Sequence, residues 1–197
     1  MAKTASPYGL RPVKRADGMP YAGAVDEFLI DPAGYAANIF NGSIVRINAD
    51  GFIELVTSSG ADATTNAFPA GTIGVFTGCS YINAQGQYIN SQFYPAGTTG
   101  VVKAQVVTDP DVVFQAQLDG TVTQAALGAN TFMAAVQSTN TGSTRTGNST
   151  SAVESTVVTT SAAFRIVGFA SPVGDAFPDV LVKFNPGQHS YLNATGI

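Results

Sequence analysis

Apolar and polar positions along the chain alternate with a period of two, or gather in short β-branched runs closed off by Gly, Pro, Asn and Asp. This pattern predicts strands almost throughout. The first are expected over residues 25–30, 43–48 and 52–57. Between the last two stand Ala49, Asp50 and Gly51, a spacing and composition that suit a tight hairpin with the glycine in the left-handed region. Further strands are expected over 71–76, 79–82, 87–93, 99–107 and 111–117. Ala84-Gln85-Gly86 joins two of these as a second hairpin, and Asp109-Pro110 interrupts the ladder between the last two, because proline donates no backbone hydrogen bond. The pattern resumes over 131–136, 163–169 and 179–184. A helical leaning is confined to 121–127, a short stretch that holds Val122 and two threonines, all weak helix formers. Roughly ten strands without crossover helices predict an all-β fold, an antiparallel β-sandwich or barrel.

Residues 137–162 break the rhythm. Ser and Thr dominate around Gly142 and Gly147, and only Arg145 and Glu154 are charged. The β-branched run over 153–160 turns the expectation toward a projecting polar loop or hairpin. A chain of 197 residues suits one domain of about 100–200 residues with some length to spare. The expected organisation is therefore an extended N-terminal arm over 1–21 and a single β domain over 22–197, with 137–162 projecting from it.

Charge refines this picture twice. Charged residues make up 11% of the chain, against roughly 25% in ordinary soluble domains, and neutral polar residues take their place. Surfaces destined for permanent interfaces avoid charges whose desolvation the partner does not offset, so the composition favours assembly. The net charge of −4 is also unevenly spread: residues 1–15 hold Lys3, Arg11, Lys14 and Arg15 with no acid, which leaves five bases against thirteen acids, or −8, in the remainder. Pro7, Tyr8, Leu10, Pro12 and Val13 interleave with those charges, a mixture that predicts a docked extended segment over 4–21 rather than a solvated tail.

The inventory of reactive groups is thin, and no catalytic site, cofactor or metal is expected. One histidine, His189, follows the turn-like Asn185-Pro186-Gly187 with no nucleophile nearby in sequence. One cysteine, Cys79, lies in a strand-like stretch and reads as a small buried hydrophobe. Asp26-Glu27 and Asp109-Pro110-Asp111 bring acids close enough for calcium or glycosidase chemistry, but Asp beside Pro or at a strand start is more often a turn former. No phosphate-cradling glycine motif occurs, and the −8 remainder disfavours nucleic-acid binding by the body. Tyr81, Tyr88, Phe93 and Tyr94 admit a carbohydrate-binding face, although strand cores use the same residues. No apolar stretch nears the roughly 18 residues that span a bilayer, and no signal peptide is expected, so folding is expected in a reducing cytoplasm.

Four patches carry a resemblance. They are Ser6-Pro7-Tyr8-Gly9-Leu10-Arg11-Pro12-Val13-Lys14-Arg15 with Asp17-Gly18-Met19-Pro20-Tyr21, then Asp109-Pro110-Asp111-Val112-Val113-Phe114, then Phe164-Arg165-Ile166-Val167-Gly168-Phe169, and last the run from Asp179 through Asn185-Pro186-Gly187-Gln188-His189. In this order they resemble small head structural proteins of tailed bacteriophages, with little likeness over 52–100 and 137–162. The resemblance implies a capsid decoration, or cement, protein that sits on the outside of the virion shell and bridges neighbouring major capsid protein capsomers as a dimer or trimer. It further implies that the arm residues Pro7, Tyr8, Leu10, Arg11, Pro12, Val13, Lys14 and Arg15 bind the shell, with Arg11, Lys14 and Arg15 as anchors. Alternatives at this stage are a receptor- or glycan-binding module of the virion, or a head-completion or tail component.

Overall fold

A computed structural model describes residues 4–60 and 68–194, so Lys3 and the start of the predicted arm lie outside the described residues. Among the described residues the strands are β1 (Arg11–Arg15), β2 (Asp26–Ile30), β3 (Ile39–Phe40), β4 (Ile44–Ile47), β5 (Ile53–Leu55), β6 (Thr72–Ile82), β7 (Tyr88–Ser91), β8 (Phe93–Tyr94), β9 (Val102–Val107), β10 (Val112–Gln117), β11 (Asn130–Thr131), β12 (Phe164–Phe169) and β13 (Asp179–Phe184). The fold is all-β, and its sheets are antiparallel apart from one parallel contact between Ile30 and Ile53.

Five strands close into a barrel in the order β4, β5, β2, β9, β6, with β6 pairing back onto β4 and β7 added outside β6. Closure depends on β6. Two separate strands were expected over 71–76 and 79–82; one continuous strand of 11 residues bridges them, with a bulge between Phe76 and Gly78. The bulge and the extended, positive-φ Gly74 let the strand curl, and a Cβ at Gly74 would collide with the Val107 carbonyl. Both predicted hairpins form with the same device. The Asn48 side chain accepts from the N–H groups of Asp50 and Phe52, and Asn83 does the same for Gln85 and Gln87.

A second sheet runs β1, β10, β13, β12, β11. Its inner face presents Phe114, Phe164, Ile166, Val182 and Phe184 to a core completed by Ile44, Val56, Val75 and Val107 from the barrel wall. Phe184 is central there, with ring centroids 5.0 Å from Phe164 and 5.9 Å from Phe114. Adjacent residues of the same barrel strands, Val45, Ile73, Phe76 and Val106, point inward to the barrel's own core. Wall strands buried on both faces read as continuous apolar runs rather than alternation, as Ile44-Val45 and Val106-Val107 do.

The stretches without strong periodicity depart most from expectation. The predicted helix over 121–127 shrinks to a single 3-10 turn, Gln124–Ala126, with no side-chain cap. The strand expected over 131–136 keeps only Asn130–Thr131 in the sheet; Met133 and Ala134 then bond to Ser59 and Ala152 instead. Within 137–162 a hairpin does form, with Gly142 paired to Ser149 and a turn in which Thr144, Arg145 and Thr146 are exposed. Much of the rest of the stretch is packed against the body. Gln137, Ser149, Ser151 and Val153 are buried, and the stem is fastened to the body by Ser149 N–H donating to Asn41 and Asn41 N–H donating to Gly147.

Candidate interaction surface

The described part of the expected arm, 4–21, is docked, but on its own chain, and after β1 it folds back, Arg15 N–H donating to the Met19 carbonyl and Tyr21 N–H to the Val13 carbonyl. Gly9 N–H donates to the Ser151 carbonyl and Leu10 N–H to Gly42, after which β1 becomes the edge strand of the second sheet beside β10. Pro12 is tolerated there because an edge strand has one side without ladder bonds, and the register shift at Val13 bends the strand. Leu10 is 1% exposed and belongs to the core between sheet and barrel, so it is no shell anchor. Arg15 is also committed within the chain, its guanidinium 3.0 Å from Asp109 and 3.5 Å from Asp17. Of the eight arm residues singled out from the sequence, all but Leu10 are at or near the surface, Arg15 being exposed but ion-paired.

Beside this docked segment lies the outer face of the five-stranded sheet. With Phe114, Ile166 and Val182 pointing inward, the alternate positions Gln115, Arg165 and Lys183 point outward. Lys14 lies opposite Val113, and Lys183 opposite Arg165. Lys14, Val113, Val167 and Lys183 share a groove of about 180 Å³. A transverse row of three cations, Lys14, Lys183 and Arg165, therefore crosses the outer face, and Arg11 opposite Gln115 adds a fourth of the nine in the chain. Two acids share the face. Asp111 accepts from Lys183 at 2.6 Å, which holds its carboxyl below the usual carboxylate range, and Asp179 accepts from the Tyr8 hydroxyl at 3.1 Å. Burial and Asp179 push the Tyr8 phenol well above its ordinary range, which keeps it a hydrogen-bond donor. Lys14 and Arg11 have no carboxylate partner among the described residues, although the Arg11 guanidinium lies 5.1 Å from the Tyr8 ring centre.

The other candidate chemistry is placed as follows. Asp109 caps a turn, its Oδ1 accepting from Asp111 N–H, and its other oxygen faces Arg15. Glu27 pairs with Lys103 at 3.0 Å, and Asp26 accepts from the Thr108 hydroxyl. No group of three or more metal-ligating side chains converges among the described residues. Cys79 is buried, donates weakly to the Phe93 carbonyl, and has its thiol pushed up to about 12 by desolvation. His189 is buried against Phe184 and Tyr191; its Nδ1 accepts from Tyr191 N–H, and its Nε2 lies near the Ile73 carbonyl without a well-formed hydrogen bond. The four aromatics considered as a sugar platform do not share a face: Tyr94 is fully buried, Phe93 stacks on Phe40, Tyr81 is half-buried and Tyr88 alone is exposed.

Sequence reasoning located Lys14 and Arg11 but missed Lys183 and Arg165 as their neighbours. The signal existed in the alternation Phe-Arg-Ile and Val-Lys-Phe, which places both cations on the polar side of predicted strands; the strand order that brings them beside β1 has no local signature. No protein-family model, curated protein or solved structure matches the chain.

Proposed function

We propose that the chain is a virion structural protein, a decoration subunit whose five-stranded sheet docks on the outside of a capsid shell and bridges neighbouring major capsid protein subunits. One observation carries this reading. The four patches that resemble phage head proteins are scattered over more than 180 positions of sequence, yet they supply β1, β10, β12 and β13, four strands of one sheet. The barrel strands β5 and β6, drawn from the stretch with little likeness, lie on the other side of the molecule's shared core. The sheet is therefore the common element, and its outer face carries the row of cations.

On this reading Lys14, Lys183 and Arg165 on a rigid sheet anchor the subunit, in place of an extended arm laid in a groove of the shell. A rigid face loses little conformational freedom on docking, and its charges steer it toward an acidic surface. The paucity of charge elsewhere suits close contact with further subunits around a local axis, as a dimer or trimer.

The test is co-sedimentation with purified expanded capsids. Lys14→Glu combined with Arg165→Glu is expected to abolish binding while circular dichroism and melting stay as in the parent, and Lys103→Glu on the barrel is expected to leave binding intact. Undiminished binding by the double variant overturns the docking face. Quantitative densitometry of virions tests the location: copies in proportion to capsomers support decoration, whereas a single ring's worth supports a tail or head-completion part.

A further inference from the structure

Where the edge of the five-stranded sheet meets the 141–150 hairpin, the surface opens into a cleft of about 510 Å³. Its floor is organised by hydrogen bonds within the chain. The Tyr8 hydroxyl donates to Asp179 Oδ1 at 3.1 Å, and Gln115 lines the cleft beside it. Its walls are different. Arg11, Asn148 and Thr150 all line the cleft, and the side chains of none of the three have a hydrogen-bond or carboxylate partner among the described residues.

These three groups sit on elements that are themselves held. Arg11 belongs to β1 and pairs with Gln115 on β10, while Gly147 and Ser149, on either side of Asn148, are bonded through their backbone to Asn41. The cleft is thus a preformed polar recess with one cation that has no carboxylate partner and lies over the Tyr8 ring, one amide able to donate and accept together, and one hydroxyl without a side-chain partner. An apolar ligand would leave all three unmatched. A dianion such as a phosphate monoester meets a single guanidinium with the Asp179 carboxylate beside it, a poor balance of charge. A monoanionic carboxylate matches the fork of Arg11, and vicinal hydroxyls match an amide and a hydroxyl, because each can give and take a hydrogen bond.

We propose that this cleft binds a uronate, a pyranose-sized polyol with one carboxylate, Arg11 taking the carboxylate and Asn148 and Thr150 the ring hydroxyls. The site is separate from the Lys14–Lys183–Arg165 row and does not depend on the docking reading. It moves carbohydrate chemistry from the aromatics around Tyr88 to the junction of the N-terminal strand with the polar hairpin.

The test is titration of the full isotope-labelled chain with sodium glucuronate, followed by amide NMR shifts, with glucose, acetate and inorganic phosphate as parallel arms. Saturable glucuronate shifts confined to residues 6–11 and 146–150 are expected in the millimolar range, with each comparison ligand weaker by about 10-fold or more. Arg11→Gln is expected to weaken glucuronate by about 10-fold and Thr150→Val by a smaller factor, both residues being exposed and neither variant shifting the melting temperature. The Lys14→Glu, Arg165→Glu protein is expected to bind glucuronate as the parent does, which separates this site from shell docking. Absence of saturable shifts overturns the proposal, as does acetate or phosphate binding as well as glucuronate, which marks a bare anion site, or unchanged affinity in Arg11→Gln.

Discussion

The side-chain amide of Gln137 closes a ring of hydrogen bonds on the backbone of Ile44: its Oε1 accepts from the Ile44 N–H at 2.9 Å and its Nε2 donates to the Ile44 carbonyl at 3.1 Å. The same nitrogen donates to the Val56 carbonyl at 2.9 Å. Gln137 is 1% exposed, so it acts as a one-residue strand, occupying polar backbone of the barrel wall that water does not reach. Gln137→Leu leaves a buried N–H and two buried carbonyls without that partner. A loss of about 2–4 kcal/mol is expected from denaturant unfolding, since each unsatisfied buried group costs about 1–3 kcal/mol and the wall relaxes in part.

Leu10 tests whether the N-terminal segment is a tether or part of the body. Leu10→Ala is expected to cost about 2–4 kcal/mol, the range for a leucine truncated in a packed core, while Val13→Ala three positions on stays within about 0.5 kcal/mol. Urea unfolding monitored by circular dichroism distinguishes the two. Removal of residues 1–15 is expected to lower stability further, because it strips β1 from β10 as well as Leu10 from the core.

His189 predicts how stability responds to acid. Burial holds its pKa below the ordinary 6.5, against smaller opposing contributions from the Ile73 carbonyl and Asp109. The folded chain therefore binds fewer protons at this ring than the unfolded chain does, once the pH falls below 6.5. The contribution of neutral His189 is complete above that value and declines as pH drops toward the depressed folded value. Asp111, held below 3.8 by Lys183, acts only at lower pH. Denaturation midpoints measured from about pH 8 to about pH 5 should be level at first and then fall, and His189→Phe should flatten the fall. An unchanged slope in that variant rules His189 out as its source.

Cys79 gives a probe of opening. With its thiol buried and its pKa pushed up to about 12, the folded chain is expected to be inert to a thiol reagent at neutral pH and to react fully in denaturant. Rapid reaction of the native chain would show that β6 and β8 part readily where the Cys79 sulfur meets Phe93.

The strands and their turns were legible because their signals are local. Alternation marked β9, β10, β12 and β13 to within a few residues, and Asn48 and Asn83 each stand just before the turn they stabilise. The joining of 71–76 with 79–82 was not legible, since Thr77-Gly78 reads as a break until the ladder to β9 runs past it. Nor was the burial of Gln137, Ser149 and Ser151. Their composition is that of a solvated loop, and what buries them is backbone from Asn41, Ile44 and Gly9, distant in sequence. The candidate surface was half legible for the same reason: Lys14 announced itself in a basic segment, whereas Lys183 and Arg165 gain their meaning from strand order alone.

The barrel wall that faces two cores has a mechanical consequence. Stripped of the five-stranded sheet, the wall would show Ile44, Val75 and Val107 to water; stripped of the barrel, the sheet would lose the floor beneath Phe114 and Phe184. The barrel keeps a core of its own, but the sheet owns none apart from the one it shares with the barrel wall. Prising the sheet from the barrel would therefore expose both faces of the shared core at once, while the ring of β4, β5, β2, β9 and β6 stays closed by its own ladders.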